Sequence, residues 1–255
     1  MKYTSYTYHC VRAEVSAFII EDGVTEYHIM LHVTNPMLSY YEQMEAVFKI
    51  YTSLLQNELH GASSIFKRFF LSDAANQTDL LLARMIEDSD CALSVVQQPP
   101  LDGTKIALWA HLLTNVKTNM LPNGLFEVKY GKYRQLWLGG CSNKAANSEY
   151  QMRLLLNDYV MQLMEENCTL EANCLRTWIF VQNVDCNYAG AVKARNEVFA
   201  TQNLTEKTHY IASTGIEGRH ADPKVLVMLD AYSIEGIKPD QIKYLYARTH
   251  LNPTY

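Results

Sequence analysis

Between Tyr8 and Asn35 apolar and polar residues alternate. "CVRAEVSAFII" and "TEYHIMLHVT" read as two strands, and "EDG" between them reads as the turn of a hairpin. The period then lengthens. In "SYYEQMEAVFKIYTSLLQNELHG", Tyr40, Met44, Val47, Phe48, Tyr51, Leu54 and Leu55 recur on one helical face, with Ser39 as N-cap and Gly61 just past the end. "SSIFKRFFLSD" predicts a strand and "NQTDLLLARMIED" a short helix. "ALSVVQQPPLDGTKIALWAHLLT" predicts a strand pair joined through Pro-Pro and Asp-Gly turns.

The pattern then starts again. "GLFEVKYGKYRQLWLGG" predicts two short strands around Gly131. "SEYQMRLLLNDYVMQLMEEN" predicts a helix with Met152, Leu155, Leu156, Tyr159 and Leu163 on one face. "CLRTWIFVQNV" reads as a strand, and "YAGAVKARNEVFATQ" as a helix with Tyr188, Ala191, Val192 and Phe199 inward. "HYIASTGIEG" and "KVLVMLDAYSI" read as strands. The order β-β-α-β-α-β-β thus occurs twice, as a repeat of architecture more than of residues. The fold class is α+β: two units, each an antiparallel-rich sheet with two helices on one face, packed with the sheets inward. The units are expected over 1–118 and 119–236. Residues 237–255 form the start of a third unit or a C-terminal extension, since "QIKYLYA" reads as a strand and "HLNPTY" leads onward without a terminating element.

Composition narrows the partners. The 255 residues are 48% hydrophobic and 19% charged, enough for a substantial core, with net charge -5 and no long run of Lys or Arg. This argues against a nucleic-acid surface. The N-terminus "MKYTSYTYHCVRAEV" lacks the pattern of a signal peptide, and no apolar run reaches membrane-spanning length. The six cysteines form no CxxC pair and no zinc-like set, so free cytoplasmic thiols are expected. No cofactor and no membrane partner are expected. His209, His220 and Asp222 lie close together but not at a ligand spacing, and no metal is expected.

One residue in the strand "CLRTWIFVQNV" asks for an explanation. Arg176 alternates with Trp178 and Phe180 on one strand face, and a permanently charged guanidinium is costly to bury alone. Beside aromatic rings it suits bidentate capture of a carboxylate. The structural alternative is an ion pair with Glu197 or Asp230 that bridges the units. "STGIEG" reads as a tight turn in which Ser213, Thr214, Gly215 and Gly218 offer backbone N–H groups to a ligand oxygen, or as an ordinary strand-end turn. Glu217 is the nearby carboxylate, a candidate local acid or simply a solvated loop residue. Tyr188, Tyr244 and Tyr246 are candidates to line the same cleft or to pack in cores.

The repeated unit resembles the YjgF/RidA family (endoribonuclease L-PSP, translation initiation inhibitor), with the fold also called bacillus chorismate mutase-like. That resemblance implies trimeric assembly and ligand clefts between units. Four stretches are similar to the chorismatase branch of the superfamily: "RTWIFVQNV" to its Arg-Thr-Trp strand, "ARNEVF" to its helix ending in an arginine and an aromatic, "IASTGIEGR" to its small-residue turn, and "QIKYLYARTHLNP" to its Tyr- and Pro-Arg-containing segment. Enzymes of that branch hydrolyse chorismate and release pyruvate.

The resemblance implies a small anionic metabolite as ligand. It makes Arg195 and Arg248 candidates for a second cation beside Arg176, and Ser213, Thr214, Gly215, Tyr244 and Tyr246 candidates for the pocket wall. Two departures stand out. Leu93 and Ser213 occupy the positions of the arginine that clamps the substrate carboxylate in the family's deaminases. The general-acid glutamate of the branch would fall beyond Tyr255, so the chain is expected to be truncated, to be inactive alone, and to self-associate or continue into a third unit. The rival readings are a non-enzymatic ligand-binding or assembly module, and an imine deaminase or an endoribonuclease that inhibits translation. The acidic charge balance counts against RNA.

Overall fold

The computed structural model describes residues 1–20, 23–85, 91–205, 207–243 and 245. The first sheet contains β1 (Lys2–Tyr8), β2 (Val11–Ile19), β3 (Thr25–Val33), β4 (Ala62–Leu71), β5 (Ala92–Gln97) and β6 (Ile106–Thr114), in the order β1-β2-β3-β6-β4-β5. Helices α1 (Tyr40–Asn57) and α2 (Ala74–Met85) cover one face of it. The second sheet contains β7 (Lys117–Met120), β8 (Phe126–Tyr130), β9 (Tyr133–Ser142), β10 (Cys174–Val181), β11 (Ala212–Glu217) and β12 (Val227–Glu235), in the order β11-β10-β12-β9-β8-β7. It is covered by α3 (Ser148–Glu165), the short α4 (Leu170–Asn173) and α5 (Val184–Thr201). The fold is α+β, built as two similar layered units.

The helix faces form as their spacing predicts. Met44, Val47, Phe48, Tyr51 and Leu54 of α1 are buried against Ile29, Leu31 and Leu108. Ser39 caps the helix in a reciprocal capping box with Glu42, and Gly61 takes a positive φ of 75° beyond the helix end. The expected face of α3 is buried against Leu136, Leu138 and Leu229.

Two expectations need correction. Each unit carries one more strand at its start, β1 and β7, because an edge strand needs only backbone partners and neither has a strong apolar pattern. The strands β5 and β6 are not hydrogen-bonded to each other. Both pair with β4, β5 in parallel and β6 antiparallel, so each sheet is mixed. The second sheet repeats this, with β11 parallel and β12 antiparallel to β10. Pro239–Gln241 form a 3-10 turn, and the strand expected in "QIKYLYA", with the segment after it, lies beyond Lys243 outside the described residues, Leu245 apart.

The uncovered faces of the two sheets pack against each other. Ile65, Phe66 and Leu113 of the first sheet join Phe126, Val128 and Trp137 of the second in one buried cluster, and Val96 meets Phe180 and Met228 in another. β5 runs tightly over β9, where a Cβ added to Gly139 would lie 2.6 Å from the Leu93 carbonyl oxygen. Gly139 and Gly140 form a β-bulge opposite Asp230, with Gly140 at φ +64°. At the end of β5, Gln97 and Arg219 exchange backbone hydrogen bonds across the units at 2.8 and 3.3 Å.

One buried ion pair sits in this interface. Asp230 has no exposed surface. Its Oδ2 accepts from Arg68 Nη2 at 2.6 Å and Nε at 3.1 Å, and its Oδ1 accepts from the Gly140 N–H at 2.6 Å. The Arg68 guanidinium lies 4.9–5.1 Å from the rings of Phe66 and Trp109 of its own sheet and of Trp178 and Phe180 of the other. Replacing Asp230 by Ala leaves this cation buried without its counter-charge, with an expected loss of about 3–5 kcal/mol in urea denaturation. The double variant Arg68→Met/Asp230→Ala should lose clearly less than the sum of the two single changes. Additive losses would show that the two groups do not act as a pair.

Candidate functional site

β10 alternates between the two faces of its sheet. Thr177, Ile179 and Val181 point to the helices, and Arg176, Trp178 and Phe180 to the first unit. Arg176 is half-buried. Its Nη2 donates to Thr214 Oγ1 at 2.6 Å, and its guanidinium lies 5.1 Å from the Trp178 ring. The acids considered as its structural partners are engaged elsewhere: Asp230 with Arg68, and Glu197 with Arg153 at 2.6 Å. Tyr232 of β12 stands directly opposite Arg176, and its ring stacks on Trp137 at 4.5 Å. Burial pushes the Tyr232 hydroxyl well above its usual range.

The segment read as a turn is the strand β11, and its alternation separates the residues grouped there by sequence. Thr214 shares the face of Arg176. Ser213 and Gly215 face the helices: Ser213 accepts from Thr177 Oγ1 at 2.9 Å, and Gly215 is covered by the Tyr188 ring. Glu217 closes the strand, its side chain 46% exposed, and accepts from the backbone N–H groups of Asn183 at 3.1 Å and Val184 at 2.8 Å. It thereby caps α5, whose own N-cap residue Asn183 makes no side-chain capping bond. Arg195 is buried on α5, on the opposite side of the sheet from Arg176, and donates to Asn196 Oδ1 at 2.9 and 3.1 Å. Tyr244, Tyr246 and Arg248 lie outside the described residues. His209 and His220, noted in the sequence for a metal, have separate surroundings: His209 contacts the Glu171 carbonyl, and His220 accepts from the Asp222 N–H.

The first sheet brings to the same seam a polar group that no spacing in the sequence marks. His28 of β3 and His111 of β6 are cross-strand partners, and their rings stack at 4.7 Å and 7°. His28 Nε2 lies 2.8 Å from Glu26 Oε1, and His111 Nε2 lies 3.3 Å from the same oxygen. His111 is 4% exposed, and neither ring nitrogen has an aligned hydrogen-bond partner. The His111 and His28 imidazoles hold the Glu26 carboxyl well below the usual carboxylate range, with burial opposing them. Burial pulls His111 below the usual imidazole range. Ring contacts join the two sets of residues, from His111 to Trp137 at 5.0 Å and from Trp137 to Trp178 at 6.4 Å. A polar, aromatic seam thus runs between the sheets, with a cation from the second unit and a carboxylate with two imidazoles from the first.

No protein-family model and no curated protein matches this sequence. Solved structures do. A chorismatase superposes with a TM-score of 0.57 over 90% of this chain and 78% of its own, at 9% identity. This chain has the fold of a chorismatase. A YjgF-family protein from Neisseria meningitidis aligns with 49% of the chain and 98% of its own, at a TM-score of 0.38 and 14% identity. The YjgF gene product of E. coli aligns with 42% of the chain and 84% of its own, at a TM-score of 0.36 and 16% identity. Among the described residues no helix is long and apolar enough to cross a membrane.

The position of Glu217 gives a direct test of its part in the fold. Glu217→Ala removes the acceptor at the α5 N-terminus, and the expected loss is up to about 1 kcal/mol in thermal or urea denaturation. Glu217→Gln, which keeps an acceptor oxygen, should recover part of it. Full stability in the alanine variant would remove the capping role.

Proposed function

We propose that this chain binds a small carboxylate-bearing metabolite at Arg176, on the seam between the two sheets. The observation that carries this reading is the placement of a half-buried guanidinium beside Trp178 and Thr214, on the sheet face turned to the other unit. A planar cation over an aromatic ring, held by a hydroxyl, is pre-oriented for a carboxylate. The chorismatase fold supports a finer reading, in which the ligand is a carboxylate enol ether such as chorismate and the reaction is its hydrolysis. Water adds across the enol ether: a proton goes to the methylene carbon, hydroxyl to the ether carbon, and the resulting hemiketal collapses to pyruvate and the freed alcohol. That chemistry needs a positioned general acid. Glu217 is occupied as a helix cap and is a poor candidate for that acid, and a second cation for a dicarboxylate is sought in the segment that holds Arg248.

Imine deamination of the RidA type fits less well. Leu93, at one of the positions of the clamping arginine, has its backbone pressed against Gly139 and Gly140, and Ser213, at the other, faces the helices.

Calorimetry with chorismate tests the binding step. Arg176→Ala should weaken binding by about ten- to a hundredfold, the worth of one charge-assisted hydrogen-bonded contact, and Arg176→Lys should recover only part of it. Pyruvate release from chorismate separates an enzyme from a binding module. Affinity that Arg176→Ala leaves unchanged would place the ligand elsewhere.

A further inference from the structure

We infer that Glu26, His28 and His111 form a binding site for a divalent transition-metal ion of the zinc class. The three side chains supply one carboxylate and two imidazoles, a donor set suited to zinc, and their ligand atoms all lie within 4.8 Å of one another. A tetrahedral zinc ion with bonds of about 2.0–2.1 Å sets its ligand atoms about 3.3 Å apart. Glu26 Oε1 already lies 2.8 Å from His28 Nε2 and 3.3 Å from His111 Nε2. The parallel stack of the two rings holds both Nε2 atoms on the side of the carboxylate.

His111 supplies the second, independent observation. It is 4% exposed, neither of its nitrogens has an aligned hydrogen-bond partner, and its Nε2 is turned to Glu26. Buried polar atoms are as a rule satisfied. His111 Nε2 has only an ill-aligned 3.3 Å approach to Glu26 Oε1, and a metal ion between that carboxylate and the two imidazoles would complete its contacts. The His28 side chain is 42% exposed, so the ion has an entry path, and the fourth position of a three-ligand site opens to water or to a ligand oxygen.

The second sheet offers an internal comparison. By register, Gln135, Trp137 and Tyr232 occupy the places of Glu26, His28 and His111. There the Trp137 Nε1–H donates to Gln135 Oε1 at 2.9 Å, and Gln135 Nε2 donates to Tyr130. The same scaffold position is closed and neutral in one unit, and carries three metal-ligating groups in the other.

The test is titration of the metal-stripped, full-length protein with zinc by calorimetry and with cobalt(II) by visible absorption. The expected result is one equivalent bound in the micromolar range or tighter, with a four- or five-coordinate nitrogen and oxygen cobalt spectrum. His28→Gln and Glu26→Gln should each weaken binding by about tenfold or more. His28 is partly exposed, so its variant is the one expected to keep the fold, which circular dichroism checks. Absence of binding at 100-fold lower affinity than this, or affinity unchanged in His28→Gln, overturns the inference. So does a thiolate-to-cobalt charge-transfer band, which would place the ion on one of the free cysteines. The readout is independent of carboxylate binding at Arg176, so either proposal can fail alone.

Discussion

The contact between Arg68 and Asp230 fixes how the two sheets meet. Each charge loses its water in the interface, a cost of several kcal/mol per ion that only well-placed partners offset. The partners are specific. Asp230 needs the Gly140 N–H, which points at it because β9 bulges at Gly139–Gly140. The bulge also removes the side chains that would block β5, whose Leu93 backbone passes over Gly139. Arg68 needs rings from both sheets around it. A slip of one residue in either sheet would turn the arginine or the aspartate to the helix layer and leave the other charge alone. The pair therefore selects one register, and that register sets Trp178 against Trp109 and Trp137, with Arg176 two residues along the same face.

Much of this was legible in the residues, and the limits have physical causes. Helices carry their own pattern: the inward faces of α1 and α3 depend on local spacing alone and appear as read. The alternation of Arg176, Trp178 and Phe180 is local too. Pairing between strands is not. "SSIFKRFFLSD" shows that Arg68 lies in a strand, but only the placement of β4 between β5 and β6, and the docking of the second sheet, bring it to Asp230. Asp230, a candidate partner of Arg176 by sequence, stands opposite Trp178 on the neighbouring strand and holds Arg68 of the other sheet instead. "STGIEG" has the composition of a turn, yet its glycines answer close approaches: Gly215 to Tyr188, and Gly218 to Val96 and Phe180. Small residues mark tight packing as often as a change of direction.

The group of Glu26, His28 and His111 escaped the sequence reading for the same reason. Glu26 and His28 are two apart in an alternating strand, so they share a face, and that much could be seen. His111 lies in a run, "IALWAHLLT", that reads as buried, and a histidine there looks like one polar exception in a core strand. The antiparallel pairing of β3 with β6 sets it opposite His28. No spacing in the sequence encodes that distance, which spans α1, β4, α2 and β5.

The register also shows where two units that share a fold differ in the side chains they turn to the seam. Lining up the rows through Leu71, Gln97 and Ile106 with those through Val181, Glu217 and Val227 equates Arg68 with Trp178, Trp109 with Asp230, and Met30 with the Gly139–Gly140 bulge. The second sheet gives up side chains at the bulge so that a neighbouring strand can lie on it. The first sheet keeps Met30 there, and along β2 and β3 its inner face carries Arg12, Glu14, His28 and His32, which remain partly exposed. A face built to be covered by backbone loses its side chains, whereas a face built to meet water or a polar ligand keeps charged ones. The chemistry of the seam follows from this division. The second unit supplies the half that holds Arg176, closed and neutral at Gln135, Trp137 and Tyr232, and the first supplies the open, ionisable half around Glu26.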